Sequence, residues 1–547
     1  MSKTGKWIWA LPALGLVVSL FFVLGPGQEM RNASARARFP HVVLVTIDTL
    51  HVLETGVYNP DVTVTPNLVD FARNGVVFQH AYTPVPITLP SHTDLMTGMS
   101  PLKHSVMANG DQVPLGLTTL AEVFRDAGYR TGAFVSLGVL MRAFQLDQGF
   151  DTYVDPFGDQ RGRWYRRADE VFEPVRSWVE ENHRDPFFIW VHYSDPHEPY
   201  ITKDAPPDTR LTLDGELVGE WTLATRARVD VTVEIPSGAH TLTWASLREP
   251  RPDDARRTGI KMNLFGQKAL GELTSASLPS SSDDIDLWPS WSLDLANTGA
   301  EPVALELGFR GRLQQASPSE VAEAYPKEVE WADLHVGKLR SLLESLGIGE
   351  QTLWVIVSDH GEGLYRHGYL GHSAYVFEDQ LRILWQMQGP GVPSGKVVDA
   401  TPVMMMDVGP TLLDLIGLPI PEGVEGHSLV ECWGGGDCPQ RREWWAYGLN
   451  HGNNRLTAAA GYKWPYKWMW KRQTGKGAFH LEEDPQEEND LLGPPPHPQE
   501  LVDLSREFQT LRPKLAFRLS HRQRVAGHPD QLEMLKALGY VGTGPEP

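Results

Sequence analysis

Four short stretches hold side chains whose types and spacing can do chemistry. Asp48 closes an apolar run, His41 to Ile47 (HVVLVTI). Taken alone, an Asp after a strand reads as a structural residue or a cap. The second stretch is PITLPSH, from Pro86 to His92. Pro90 suits the first turn of a helix and Ser91 can help cap it, which sets Thr88 just before a helix N-terminus. Backbone N–H groups and the positive end of the helix dipole favour an anion there. A hydroxyl at that place becomes a nucleophile when a metal lowers its pKa; the ordinary reading is an N-terminal cap. The third stretch, HYSDPHEPY, groups His192, Asp195, His197 and Glu198 after another apolar run. Such donors suit Zn²⁺, or Mg²⁺, Ca²⁺ and Mn²⁺ where oxygen dominates. The fourth, SDHGEG, sets Asp359 beside His360, with Glu362, His367 and His372 following. Adjacent Asp and His at a strand end can bind one ion together. His372, thirteen positions after Asp359, can return to the same cleft.

The elements that must hold these residues are legible in the apolar pattern. HVVLVTI, FFIWVH (187–192) and LWVIVS (353–358) are continuous β-rich runs of the kind that form buried parallel strands. Helix-like stretches such as 117–127 and 329–346 alternate with them, which predicts an α/β layered domain with a mostly parallel central sheet. Open sheets of this class place their sites at the carboxyl ends of the strands. Between about Asp208 and Pro318 the period changes to two: Val229, Val231, Val233 and Ile235, then Val303, Leu305, Leu307 and Phe309. This predicts an inserted antiparallel β-sandwich, read as a spacer or cap in preference to a glycan-binding module. The expected division is an N-terminal anchor and linker (1–39), a catalytic domain in two parts (40–207 and 319–440), the insert (208–318) and a small α+β C-terminal subdomain (441–547).

Composition sets outer bounds. The 547 residues are 41% hydrophobic and 22% charged, ordinary for a globular chain. With 49 Lys plus Arg against 69 Asp plus Glu the net charge is −20, a poor match to nucleic acid. Residues 7–25 (WIWALPALGLVVSLFFVLG) follow Lys3 and Lys6. Nineteen helical residues span about 28 Å, enough for a bilayer core. The lysines predict an N-terminus held inside and the remainder exported to the periplasmic or extracellular side. A cleaved signal peptide is the alternative. Cys432 and Cys438, the only cysteines, can close a small disulfide loop in such a compartment.

In order along the chain stand VLVTIDTL, TPNL, TLPSHTDLMTG, FIWVHYSDPHEPY, VSDHGEGLYRHGYLGH, FHLEEDPQEENDLL and LKALGYVG. Together these motifs resemble the sulfatase branch of the alkaline phosphatase superfamily over nearly the whole chain outside the anchor and insert. The resemblance implies that Asp48, Asp359 and His360 are metal ligands, with Thr88 at the nucleophile position and able to join them. It implies that His197 binds substrate, protonates a leaving group or holds a second ion. His372 stands where related transferases have another histidine. As isolated residues His92, His192 and His367 read as structural; in the family context His92, Glu362 and His367 join His197 and His372 as candidates for a second ion or for substrate.

Three departures bear on the chemistry. Formylglycine-dependent sulfatases carry C-x-P-S-R, whereas this chain has Thr88-Leu89-Pro90-Ser91-His92. Threonine cannot become that aldehyde, so no formylglycine is expected. His92 stands in place of the arginine, removing a bidentate anion clamp. Thr49 replaces a second Asp, and His51 and Leu53 stand where relatives have Arg and Asp. Threonine nucleophiles are similar to those of phosphoethanolamine transferases and nucleotide phosphodiesterases. The expected function is therefore a membrane-anchored, exported hydrolase or transferase acting on phosphate-type esters. It would use a divalent metal, Zn²⁺ first, with Ca²⁺, Mg²⁺ or Mn²⁺ as alternatives. The partner would be an anionic ester, such as an envelope lipid or glycan. Two other readings stay open: a sulfuric ester hydrolase without formylglycine, and a non-catalytic binding protein on this fold. Oligomeric state is open as well.

Overall fold

The computed structural model describes residues 39–157, 165–198, 200, 209–221, 228–247, 261–268, 273–274, 285–286, 290–312, 317–399, 401–434, 438–441, 443–450, 455–473 and 475–520. The apolar run 7–25 and the C-terminal LKALGYVG lie outside them. Among the described residues no helix is long and apolar enough to cross a membrane.

An eight-stranded sheet organises the fold. Its strands in chain order are β1 (His41–Ile47), β2 (Val76–Phe78), β3 (Arg130–Phe134), β4 (Thr152–Val154), β5 (Phe187–Tyr193), β6 (Thr352–Ser358), β7 (Trp385–Gln388) and β8 (Lys396–Val398). Across the sheet they run β8-β2-β7-β6-β1-β5-β3-β4. Only β7 runs antiparallel to its neighbours. The continuous apolar runs follow from burial on both faces. Val42 and Leu44 enter one core while Val43, Val45 and Ile47 enter the other, and β5 and β6 divide in the same way. The first core is closed by the helices α2 (Thr88–Thr97), α3 (Leu120–Asp126) and α6 (Val408–Ile416). The second is closed by α1 (Pro66–Arg73), α4 (Ala168–Asn182) and α5 (Pro318–Ser345).

Helix α5 begins well before the expected 329. Ser317 and Glu320 form a reciprocal capping box and Pro318 takes the first helical position, where its missing N–H costs nothing. The extra turns bring Tyr325 to the end of β1, where it becomes important below. Ahead of α5, nine strands between Thr209 and Arg312 form a five-stranded and a four-stranded sheet. Their inward residues, among them Leu211, Trp244, Val233 and Leu305, share one core, so the two sheets pack face to face.

The C-terminal part is a four-stranded antiparallel sheet covering Glu443–Leu449, Leu456–Lys463, Tyr466–Lys471 and Gly475–His480, with α7 (Gln499–Ser520) packed on it. It shares cores with the layered α/β part: Tyr82, Val376 and Met404 pack with Trp444 and Tyr462, and Val85 and Ile87 pack with Trp468. A buried ion cluster adds to the contact. Lys467 lies 3.0 Å from Glu378 and 2.7 Å from Glu487, and Glu487 accepts the Glu378 N–H at 2.6 Å. Glu487 is the glutamate of the Asp-Pro-x-Glu segment. Its carboxyl is pushed up to about 7 by burial, with Lys467 pulling the other way. Cys432 and Cys438 are joined as a disulfide.

Breaking a buried ion cluster by removing its cation leaves uncompensated charge at a cost of about 3–5 kcal/mol. Lys467→Met should therefore lower stability by that order in denaturant unfolding, while a loss below about 1 kcal/mol would show that the cluster is not charged in the folded protein.

Candidate active site

The site forms where three parallel strands end level. Ile47 of β1 is in register with Ser358 of β6 and Tyr193 of β5, so Asp48 and Asp359 emerge side by side. The Asp48 N–H still donates to Tyr193 O, at 2.9 Å. Thr49 then turns the chain in the left-handed region, φ 55°. Its N–H donates to Asp359 Oδ1 at 3.1 Å, and its hydroxyl donates back to Asp48 O at 2.8 Å. The Tyr325 hydroxyl donates to Thr49 O at 2.7 Å and accepts the His51 N–H at 2.9 Å. This unusual turn is thus pinned from β6 and from α5.

Asp359 Oδ1 also accepts the His360 N–H at 2.7 Å. His360 Nδ1 lies 3.0 Å from Gly361 O, which makes it the donor and directs Nε2 at the carboxylates. Nε2 is 3.7 Å from Asp48 Oδ1 and 3.4 Å from Asp359 Oδ2. One ligand atom from each of Asp48, Asp359 and His360 falls within 4.8 Å of the others. All three residues are 0% exposed. Both Asp48 oxygens, Asp359 Oδ2, His360 Nε2 and the Thr88 hydroxyl are buried without a hydrogen-bond partner. Burial, then the neighbouring Asp359 charge, holds Asp48 well above the usual carboxylate range. Burial pushes Asp359 up to about 6 and His360 down to about 4. Two buried carboxylates and a neutral imidazole, converging with unsatisfied acceptor atoms, are the donor set of a divalent cation.

Thr88 is the first residue of α2 itself, with Ile87 at the capping position. Ser91 does not cap the helix as expected. Lying inside the first turn, it donates its hydroxyl to Asp359 O at 2.7 Å and accepts from Thr83 at 3.1 Å. The start of α2 is in this way tied to the metal-ligand loop. Of the N–H groups expected to face an anion, that of Leu89 is taken by Asn109 at 2.9 Å. His92 is corrected as a candidate for a second ion or for substrate. Its Nδ1 bonds Thr88 O at 2.8 Å and its Nε2 bonds Thr46 Oγ1 at 3.1 Å, so both nitrogens are committed to holding Thr88 against β1.

His197 and His372 come together, with ring centroids 5.1 Å apart, and His372 lies 4.5 Å from His360. Glu362 supports them from behind: it accepts the Gly363 N–H at 3.0 Å and pairs with His372 Nδ1 at 3.2 Å. Fully buried, it carries a carboxyl raised well above its ordinary range, and it serves His372 rather than a second ion. His367 is likewise corrected. It turns away, contacting Asp379 at 3.1 Å and Gln486 O at 3.1 Å, and joins this loop to the C-terminal part. The sequence reading missed Tyr325, Ser91 and Ser136, the last 2.7 Å from His192 Nδ1. Only tertiary placement reveals the first and third; a serine three positions after Thr88 was visible but was read as a cap.

Comparison with known proteins identifies the family. The Sulfatase family model matches residues 40–418, and the chain belongs to that family. The family's members are hydrolases and use a metal ion. The chain is 24% identical over 436 residues to the extracellular sulfatase SULF-1 homolog of Drosophila melanogaster, covering 73% of this chain and 31% of that one. It is 23% identical over 466 residues to an arylsulfatase of Clostridium perfringens, covering 83% and 90%. The fold is shared with the phosphonate monoester hydrolase of Agrobacterium radiobacter (TM-score 0.53, 17% identity, 91% and 96% covered).

A pH test follows from the raised carboxyl groups. Asp359, with an ordinary value of 3.8, is protonated in the metal-free fold up to about 6. A cation must displace that proton at lower pH but not at higher pH. The rise in Tm on adding Zn²⁺ to chelator-treated protein should therefore grow as pH increases through about 6. A metal-induced shift that is constant with pH would show that the carboxylates are not the ligands.

Proposed function

We propose that this sulfatase-family protein is a metal-dependent hydrolase or transferase of phosphate-type esters that uses Thr88 as its nucleophile. The observation that carries the reading is the Thr88 hydroxyl, fully buried and without a hydrogen-bond partner at the start of α2, which is tied through Ser91 to Asp359 and through His92 to Thr46. Asp48, Asp359 and His360 would hold the cation, with Thr88 beside them. Bound there, the ion would lower the pKa of the Thr88 hydroxyl and offset charge on the phosphoryl oxygens.

The residues themselves account for the remaining steps. His92 fixes the Thr88 backbone, so the hydroxyl is presented along one line to the phosphorus. Thr88 gives up its hydroxyl proton to solvent, and its Oγ forms the new P–O bond as the bond to the leaving oxygen breaks. His197 or His372 supplies the proton that the leaving oxygen takes up. Glu362, paired with His372 Nδ1, leaves proton exchange at that histidine to Nε2. Water or an acceptor hydroxyl then attacks phosphorus, the bond from phosphorus to Thr88 Oγ breaks, and the proton the attacking oxygen loses restores the Thr88 hydroxyl. The apolar run 7–25 behind Lys3 and Lys6 supports a membrane-anchored protein with its catalytic domain exported. On that placement an anionic ester of an envelope lipid or glycan is the substrate class.

That these relatives are sulfatases favours one competing reading, sulfate ester hydrolysis without formylglycine. Aryl phosphate monoesters, phosphodiesters and sulfate esters with a common leaving group separate the two. The expected result is phosphoester turnover in the presence of Zn²⁺ that falls on the order of 10³-fold or more in Thr88→Ala. Sulfate turnover dominating and lost in Thr88→Ala would move the function to sulfate, and no turnover on any ester would favour a binding role.

A further inference from the structure

A further buried histidine, His192, stands beside Asp48. His192 lies on β5, in register with Thr46 of β1, and is 0% exposed. Its Nδ1 is 2.7 Å from Ser136 Oγ. The Ser136 hydroxyl donates to Ser194 Oγ at 2.8 Å, so its oxygen is left to accept from the imidazole. The Ser136 backbone N–H also donates to the same nitrogen, at 3.4 Å. With its ring proton on Nδ1 and donated to Ser136 Oγ, the imidazole presents the Nε2 lone pair; this tautomer gives up the bond that the Ser136 backbone N–H otherwise makes to Nδ1.

That lone pair faces another acceptor. His192 Nε2 is 3.8 Å from Asp48 Oδ2, and neither atom has a hydrogen-bond partner. The separation is too long for a hydrogen bond. Two buried acceptors turned toward each other are costly unless a cation lies between them. Donors bound to one ion at about 2.0–2.2 Å lie roughly 3–4 Å apart, which is the spacing seen here. Asp48 is thus flanked by two imidazoles: His360 Nε2 nearest Oδ1 at 3.7 Å and His192 Nε2 nearest Oδ2 at 3.8 Å. The Thr49 hydroxyl is turned back onto Asp48 O.

We propose that His192 is a protein ligand of the same cation, entering on the Oδ2 side of Asp48, with Ser136 as the positioning residue that sets its tautomer. This rests on the reading that Asp48, Asp359 and His360 hold a divalent ion. Two imidazoles with two carboxylates favour Zn²⁺ over Ca²⁺ and Mg²⁺, which prefer all-oxygen shells.

The direct test is X-ray absorption at the zinc edge of the full-length, Zn²⁺-loaded protein, counting imidazole ligands. Two imidazoles are expected; one would overturn the proposal, and this reading needs no variant. Zn²⁺ affinity by chelator competition supplies the second measurement. His192→Ala should weaken binding by at least about 10-fold, and Ser136→Ala by about 10–100-fold as an outer partner of a ligand. Affinity within twofold of wild type in His192→Ala, with wild type still binding Zn²⁺ tightly, would overturn the role of His192 alone. A wild-type protein that binds no Zn²⁺ would overturn both this proposal and the reading beneath it.

Discussion

Asp48 and Asp359 are two carboxylates driven into the same dry space, and the rest of the site is arranged around that conflict. Each is fully buried, burial makes each costly to ionise, the Asp359 charge adds to that cost at Asp48, and both Asp48 oxygens and Asp359 Oδ2 lack a hydrogen-bond partner. Histidine cannot supply the missing positive charge, because burial holds His360 and His92 below their ordinary values. Like charges so placed are tolerated when they share a proton or a cation. The converging imidazole of His360 favours the cation.

Much of the surrounding structure serves to hold this unfavourable pair in place. Level strand ends put the two carboxylates side by side, and Tyr325 and the Asp359 side chain pin the left-handed turn at Thr49. Behind His360 the chain passes so close to another segment that only glycine fits: a Cβ on Gly361 would lie 2.1 Å from Asp379 O. That neighbour carries Glu378 into the ion cluster with Lys467 and Glu487. The C-terminal sheet is consequently part of the site's support, although it contributes none of the proposed ligands.

The layered α/β fold was legible because burial on both sheet faces leaves continuous apolar runs. The Asp-His pair after β6 and the Asp after β1 were legible because strand ends are where such folds expose chemistry. Other features were hidden for physical reasons. The start of α5 depends on a capping box next to a β-rich segment, where strand periodicity dominates the local signal. His92 and His367 carry donor chemistry in sequence, yet the fold spends both nitrogens of each on neighbours. His192 shows the reverse, a residue read as structural whose outward nitrogen meets only an acceptor.

The departures from the formylglycine pattern become coherent around Thr88. A threonine at the start of α2 keeps a hydroxyl where a hydrated aldehyde would otherwise act, and His92 secures its backbone instead of clamping an anion. On the proposed function this hydroxyl takes the phosphoryl group. Acid quenching during turnover of an aryl phosphodiester, followed by high-resolution peptide mass spectrometry, tests it most directly. Phosphothreonine at position 88, accumulating with Zn²⁺ and absent with chelator, is the predicted result. Turnover without any adduct at Thr88, or sulfothreonine there when a sulfate ester is offered in competition, would contradict it.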